Sequence, residues 1–284
     1  MELDHVPDLV DPVMLAAFEG WNDAGEAASD SIAFLADAWQ ASIVGEMDPE
    51  DYYDFQVNRP LISSAEDGQR RLQWPTTRLL VARPPLQQRD IVLVQGIEPS
   101  MRWRGYTAEL LSAAYDLGVE MVITLGALLA DTPHTRPVPV TGTTSDAVLR
   151  ERLGLEASRY EGPTGIVGVV QEACSSAGLP AASLWAAVPH YVAAPPSPKA
   201  MMALLRTVED LLEVPIPMGD LADEARAWQT GADELAEEDE EIGSYVRGLE
   251  EAQDAAELPE ASGEAIAREF ERFLRRQGED PPPG

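Results

Sequence analysis

The sequence predicts an α/β fold with a mostly parallel central sheet, followed by an acidic helical extension. Three observations carry this. First, VMLAAFEGWNDAG at 13–25 runs from an apolar stretch through a polar turn into a helix whose face is Ala28, Ile32, Leu35 and Trp39. Second, the apolar run at 90–97, the helix at 103–117 and the apolar run at 119–125 have the spacing of a parallel βαβ unit. Third, composition shifts at Pro215-Ile216-Pro217, beyond which Glu and Asp crowd the helical faces. We therefore expect an α/β domain over residues 1–217 and an acidic helical extension over 218–284.

In chain order, the first strand ends in Glu19, Gly20, Trp21, Asn22 and Asp23. Asp23 stands where an N-cap belongs, and Glu26 three residues on could complete a capping box. Residues 41–46 and 52–57 read as strands around the turn Asp48-Pro49-Glu50-Asp51. Short extended pieces follow at 59–63, 69–73 and 77–82, with 65–68 as a hairpin turn. The buried strand at 90–97 precedes Glu98-Pro99-Ser100, and Gly118 is placed to end the next helix. Asp131-Thr132-Pro133-His134 comes soon after the strand at 119–125.

Residues 136–144 are extended and broken by proline, 145–153 form a short helix stopped by Gly154, and 160–165 is a glycine turn. Residues 166–177 read as a helix, although IVGVV at its start also suits a strand. SLWAAV at 183–188 is the next strand, followed by Pro189-His190-Tyr191. Ser197 can cap, and Pro198 suits the first turn of a helix running to Leu212. In the extension, Leu221, Trp228, Leu235, Ile242 and Leu249 recur every seventh residue, a heptad seam broken in part by Asp239. A last helix is expected from Ser262, with Ile266, Phe270, Phe273 and Leu274 on one side.

The 284 residues are 45% hydrophobic, enough for one substantial core and an accessory region. The formal net charge of -30 opposes binding to nucleic acid or an anionic membrane surface. Lys199 is the only lysine, and no P-loop motif is present. Cys174 is the only cysteine, which excludes an intrachain disulfide and fits a reducing cytoplasm. No signal peptide and no membrane-length apolar run is expected. The histidines, His5, His134 and His190, lack metal-ligand spacing, and there is no G-x-S-x-G elbow. We expect no metal and no other cofactor.

In open α/β sheets, ligands bind at the carboxyl ends of the strands. The groups at those ends are the candidate site: Glu19, Trp21, Asn22, Asp23, Glu98, Asp131, His134, His190 and Tyr191. The turns TGTT at 141–144, with Thr143, and GPTG at 162–165 could line the same cleft with backbone amides at helix starts. Capping alone would also explain Asp23 and these threonines.

FEGWNDAG at 18–25, TPHTRPVPVTGT at 132–143, YEGPTGIVGV at 160–169 and SLWAAVPHYVAAPPSPKA at 183–200 together resemble the PAC2 family of proteasome assembly chaperone 2, in its actinobacterial branch. The resemblance implies a three-layer α/β/α fold of the phosphorylase/hydrolase-like class and self-association into a homo-oligomer such as a trimer. It also implies a protein-binding role toward proteasome α subunits. Some archaeal relatives dock through a hydrophobic-Tyr-X tail. This sequence ends EDPPPG, so docking through such a tail is not expected. The leading expectation is a cytoplasmic, non-catalytic, self-associating protein-binding module. The alternative is an enzyme or small-ligand binder using the strand-end cleft, by analogy to nucleoside phosphorylases.

Overall fold

The computed structural model describes residues 1–4, 6–64, 68–85 and 89–257. His5, most of the turn expected at 65–68 and the helix expected from Ser262 lie outside the described residues.

The elements in order are β1 (Glu2–Leu3), β2 (Val13–Glu19), α1 (Ala27–Ala38), β3 (Ser42–Glu46), β4 (Leu61–Ser64), β5 (Arg70–Gln73), β6 (Arg78–Ala82) and β7 (Ile91–Ile97). Then come α2 (Trp103–Asp116), β8 (Met121–Ala130), β9 (Val140–Thr143), α3 (Ala147–Leu153), α4 (Ile166–Ser176), β10 (Ala181–Pro189), α5 (Pro198–Leu212), α6 (Leu221–Glu238) and α7 (Glu240–Glu257).

The main sheet has the order β1-β3-β6-β7-β2-β8-β10-β9. Its centre, β7-β2-β8-β10, is parallel, with Val13 opposite Ile91 and Ala181 opposite Val122. The flanking pairs are antiparallel. Both faces of the central strands are buried, which is why they read as continuous apolar runs rather than alternating ones. Within each run, successive side chains still go to opposite faces. Val13, Leu15 and Ala17 join the core under α1 and α5, while Met14, Ala16 and Phe18 join the core under α2 and α4. The result is three layers, helices on either side of one sheet.

Helix α4 begins at Ile166, so IVGVV is helical, with Ile166, Val167 and Val170 buried. Gly154 adopts the left-handed conformation that ends α3, with φ 66°. Residues 52–57, expected as a strand, are instead turns. Asp48 caps a 3-10 turn at Pro49–Asp51, and Asp54 Oδ1 accepts from the Gln56 amide at 2.8 Å. Tyr52 and Tyr53 are adjacent and both buried. β4 and β5 pair only with each other, as a separate two-stranded hairpin.

Beyond α5 the acidic arm forms α6 and α7. Asp239 breaks the heptad seam by leaving helical geometry and capping α7, its Oδ1 accepting from the Glu241 and Ile242 amides. The corner is tight: a Cβ on Gly243 would stand 2.5 Å from the Ala236 carbonyl oxygen. Among the described residues of the arm the buried apolar side chains are Leu221, Ala225, Ala232 and Val246, while Leu235 on the expected seam is exposed. Among the described residues no helix is long and apolar enough to cross a membrane.

Candidate functional site

The carboxyl ends of β2, β7, β8 and β10 share one edge of the sheet, because these four strands are mutually parallel. The polar groups there gather into two clusters.

The first lies at the ends of β2 and β7. Glu98 Oε1 accepts from Asn22 Nδ2 at 2.8 Å and from the Ile166 amide at 2.8 Å. The backbone amide at the start of α4 is thus taken by the Glu98 carboxylate, held at a helix N-terminus. Asn22 is buried, its carbonyl accepts from the Ala127 amide on β8, and its side chain lies so close to Gly165 that a Cβ there would stand 2.2 Å from Oδ1. Only glycine fits that approach.

Asp23 is also buried, and it caps the start of α1. It accepts from the Ala28 amide at 2.7 Å and from the hydroxyl and amide of Ser29. The capping box with Glu26 does not form, because Glu26 is left-handed, φ 56°, and α1 starts beyond it. Trp21 is 70% exposed and joins neither partner.

Glu19 lines a cavity of about 190 Å³ with Glu26, Ser29, Asp30, Ala33 and Gln95. Partial burial, then the neighbouring Asp23, Glu26 and Asp30 carboxylates, push the Glu19 carboxyl above its ordinary range. Asp30 is pushed up to about 6, by burial first and then by Glu26 and Asp23. Neither Asp131 nor His190 lines this cavity.

The second cluster lies at the ends of β8 and β10. His134 is fully buried. Its Nδ1 meets the Tyr191 hydroxyl at 2.8 Å, and its Nε2 meets Asp233 Oδ1 of α6 at 2.9 Å. Lys199 of α5 donates to the His134 carbonyl and, at 2.8 Å, to Gln229 of α6. Asp131 Oδ1 accepts from the Tyr245 hydroxyl of α7 at 2.9 Å and lies 3.3 Å from His190 Nδ1. His190, Tyr191 and Tyr245 pack edge to face. Arg136 pairs with Glu250 and Asp254, also of α7. The strand-end loops therefore grip the arm.

Thr143 joins neither cluster. It sits opposite Ser183, near the start of β10 and so toward the other end of the sheet, where its carbonyl accepts from Gln171. TGTT is the strand β9 and its end, not a helix start. The single cleft expected for all the candidates is thus replaced by two separate sets of contacts. Sequence reasoning missed Asp233, Tyr245, Arg136 and Glu250, and noted Lys199 only as the sole lysine. Their partners lie tens to more than a hundred positions away, so no local spacing marks them. Among the described residues, no group of three or more His, Cys, Asp or Glu could hold a metal ion.

The PAC2 family profile matches residues 17–236, from β2 through nearly all of α6. This chain belongs to the PAC2 family. The match takes in both clusters up to Asp233. A PAC2 family protein from Streptomyces avermitilis is 59% identical, covering 83% of this chain and 100% of that one, with a TM-score of 0.79. A proteasome-assembly chaperone homologue from Mycobacterium tuberculosis is 55% identical over 82% of this chain and 99% of its own, TM-score 0.76. An archaeal homologue of proteasome-assembly chaperone from Pyrococcus furiosus, at 18% identity, 88% and 98% coverage and TM-score 0.58, shares the fold. No curated protein matches the chain.

Proposed function

We propose that this PAC2-family protein is a non-catalytic, self-associating protein-binding module that assists proteasome assembly in the cytoplasm, with α subunits as its partner. The 55% identity to a mycobacterial proteasome-assembly chaperone homologue supports the partner class. The observation that carries the reading is at the sheet edge. There, the groups that would serve a small ligand are spent on the chain itself. Glu98 holds Asn22 and the start of α4, Asp23 holds α1, and His134 is bonded through both ring nitrogens. The cavity beside Glu19, about 190 Å³, is also below the roughly 300–1,000 Å³ of small-molecule sites.

The test is a pull-down of proteasome α subunits from the same cell type by the tagged full chain, at low and moderate salt. Retention supports the assignment, and loss of the α subunits at both salts overturns it. A thermal-shift series with nucleosides and phosphate tests the enzyme alternative. Stabilisation that disappears in Glu19→Ala and His190→Ala would favour it.

A further inference from the structure

Helix α7 has one side held and one side bare. On the held side Val246 is buried, Tyr245 packs on Asp131, His190 and Tyr191, and Glu250 and Asp254 pair with Arg136. On the other side Ser244, Gly248, Ala252 and Ala255 are all exposed. They recur at intervals of four, four and three residues and so share one face. A shallow groove of about 900 Å³ runs along this face, lined by Glu240, Glu241, Ser244 and Gly248, with Tyr245 and Leu249 at its domain-side margin. A Cβ on Gly248 would meet nothing within 4 Å, so the backbone there is open to close approach.

The chain that follows α7 directly has the form to fill it. Helix α7 ends at Glu257, and the helix expected from Ser262 carries Ile266, Phe270, Phe273 and Leu274 on one side. An isolated helix of that length is marginal in water, and an apolar stripe of this width needs a surface to bury it. The connection, Leu258-Pro259-Glu260-Ala261, has the length that joins two antiparallel helices. Gly278 is placed to end the second helix. A helix over 262–276 is roughly 22 Å long, against roughly 27 Å for α7.

Folding back about Pro259 sets the register. Ala252 and Ile266 are each seven residues from Pro259, Gly248 and Phe270 each eleven, and Ser244 and Leu274 each fifteen. Successive pairs are four residues apart on both helices, so all three fall on facing sides. Each pair sets a bulky apolar side chain against a small residue, which lets the two axes approach toward the ~8 Å lower limit of helix packing. In the same register Arg276 comes level with Ile242, beside Glu240 and Glu241 at the far end of the groove.

We propose that residues 262–276 dock as a helix in the α7 groove of their own chain, with Ile266, Phe270 and Leu274 over Ala252, Gly248 and Ser244, and Arg276 facing Glu240 and Glu241. The occupant is this segment because a short connection ties it to the end of α7. Such tethering gives an effective concentration in the millimolar range, which a separate molecule at micromolar concentration does not match. Docking gives the bare side of α7 a second layer, so that the arm is held between the strand-end loops and the chain's last helix. The inference goes beyond the function proposed above and does not depend on it.

The experiment is hydrogen exchange on the full chain, read on peptides spanning 262–276. In the wild type these amides should exchange at least ~10-fold more slowly than in the urea-unfolded chain. Gly248→Glu, which adds a charge where a side chain meets open space, should remove that protection, and so should Phe270→Asp. The central strands should stay protected in both variants, which controls for the fold. Unprotected amides in the wild type overturn the docking, and protection that survives Gly248→Glu overturns the groove as its place. The register is read from Ala252→Cys with Ile266→Cys. Oxidation should join the peptides carrying positions 252 and 266 in a protein that keeps the mass of one chain, 30.8 kDa. A link between two chains, at twice that mass, assigns the segment to a neighbouring copy and overturns docking within the chain. The absence of any link overturns the register.

Discussion

Asn22 and Glu98, 76 positions apart in the chain, are joined by a 2.8 Å hydrogen bond, and the same Glu98 oxygen caps α4 through the Ile166 amide. One carboxylate thus ties the turn after β2, the turn after β7 and the start of a helix on the α2–α4 face. Its removal would strand two donors at once, one of them on a buried side chain. Hydrogen bonds to charged groups contribute about 1.5–3 kcal/mol each, with overlap between the two expected. Glu98→Ala should therefore destabilise the protein by about 2–3 kcal/mol, lowering Tm by roughly 3–5 °C for a chain of this size. Glu98→Gln, which retains an acceptor, should cost less. Calorimetry on both variants checks the ranking.

The arm should depend on His134. Its ring nitrogens bond Tyr191 and Asp233, and its carbonyl takes Lys199. His134→Ala removes a buried side chain and leaves the Asp233 contact unmade, a loss of about 2–3 kcal/mol. Hydrogen exchange should rise through α6 and α7 while the central strands stay protected. Equal loss of protection in β2 and β8 would mean that the imidazole supports the whole domain rather than the arm.

Stability should rise on mild acidification. Asp30 is pushed up to about 6 from an ordinary 3.8, by burial first, then by Glu26 and Asp23. Glu19 and Asp23 are raised in the same direction. An acid whose folded pKa is raised binds its proton more tightly when folded. Folding then takes up protons between the two values, and that contribution is lost as pH rises through the folded one. Urea midpoints should be higher at pH 5 than at pH 7. Asp30→Asn should stabilise the protein at pH 7 and flatten the dependence. Asp254 acts oppositely: its hydrogen bond to Arg136 holds it below the usual range, so its contribution fades only as acid protonates it.

Cys174 should be inert in the folded protein. It is buried among α4 and its neighbours, and burial pushes its thiol up to about 11. The thiolate is the reactive form. A thiol reagent at pH 7 should label no cysteine in the native protein over minutes and one per chain in denaturant. Rapid native labelling would mean that α4 opens readily from the sheet.

The layers of the fold were legible because burial of a strand on both faces produces runs such as IVLVQGI, with punctuation from Gly118 and Gly154 at helix ends. Residues 52–57 misled because Tyr-rich runs favour strands, while the side chains of Asp48 and Asp54 divert the backbone into turns. At the site, the strand ends were found but their consequences were not. The contacts of His134 with Asp233 and of Asp131 with Tyr245 join segments about a hundred residues apart. Nothing in local spacing distinguishes a histidine that grips an arm from one awaiting a ligand. Thr143 was misplaced because TGTT reads equally as a glycine turn and as a short edge strand, and pairing with β10 decided it.

Native mass spectrometry of the full chain mixed with purified proteasome α subunits measures partner binding without a tag or a lysate. A complex containing both proteins, with the chain present in more than one copy, is the expected result. Separate masses for the two proteins across all concentrations, together with a nucleoside or phosphate adduct on this chain alone, would contradict it and return the strand-end groups to small-molecule chemistry.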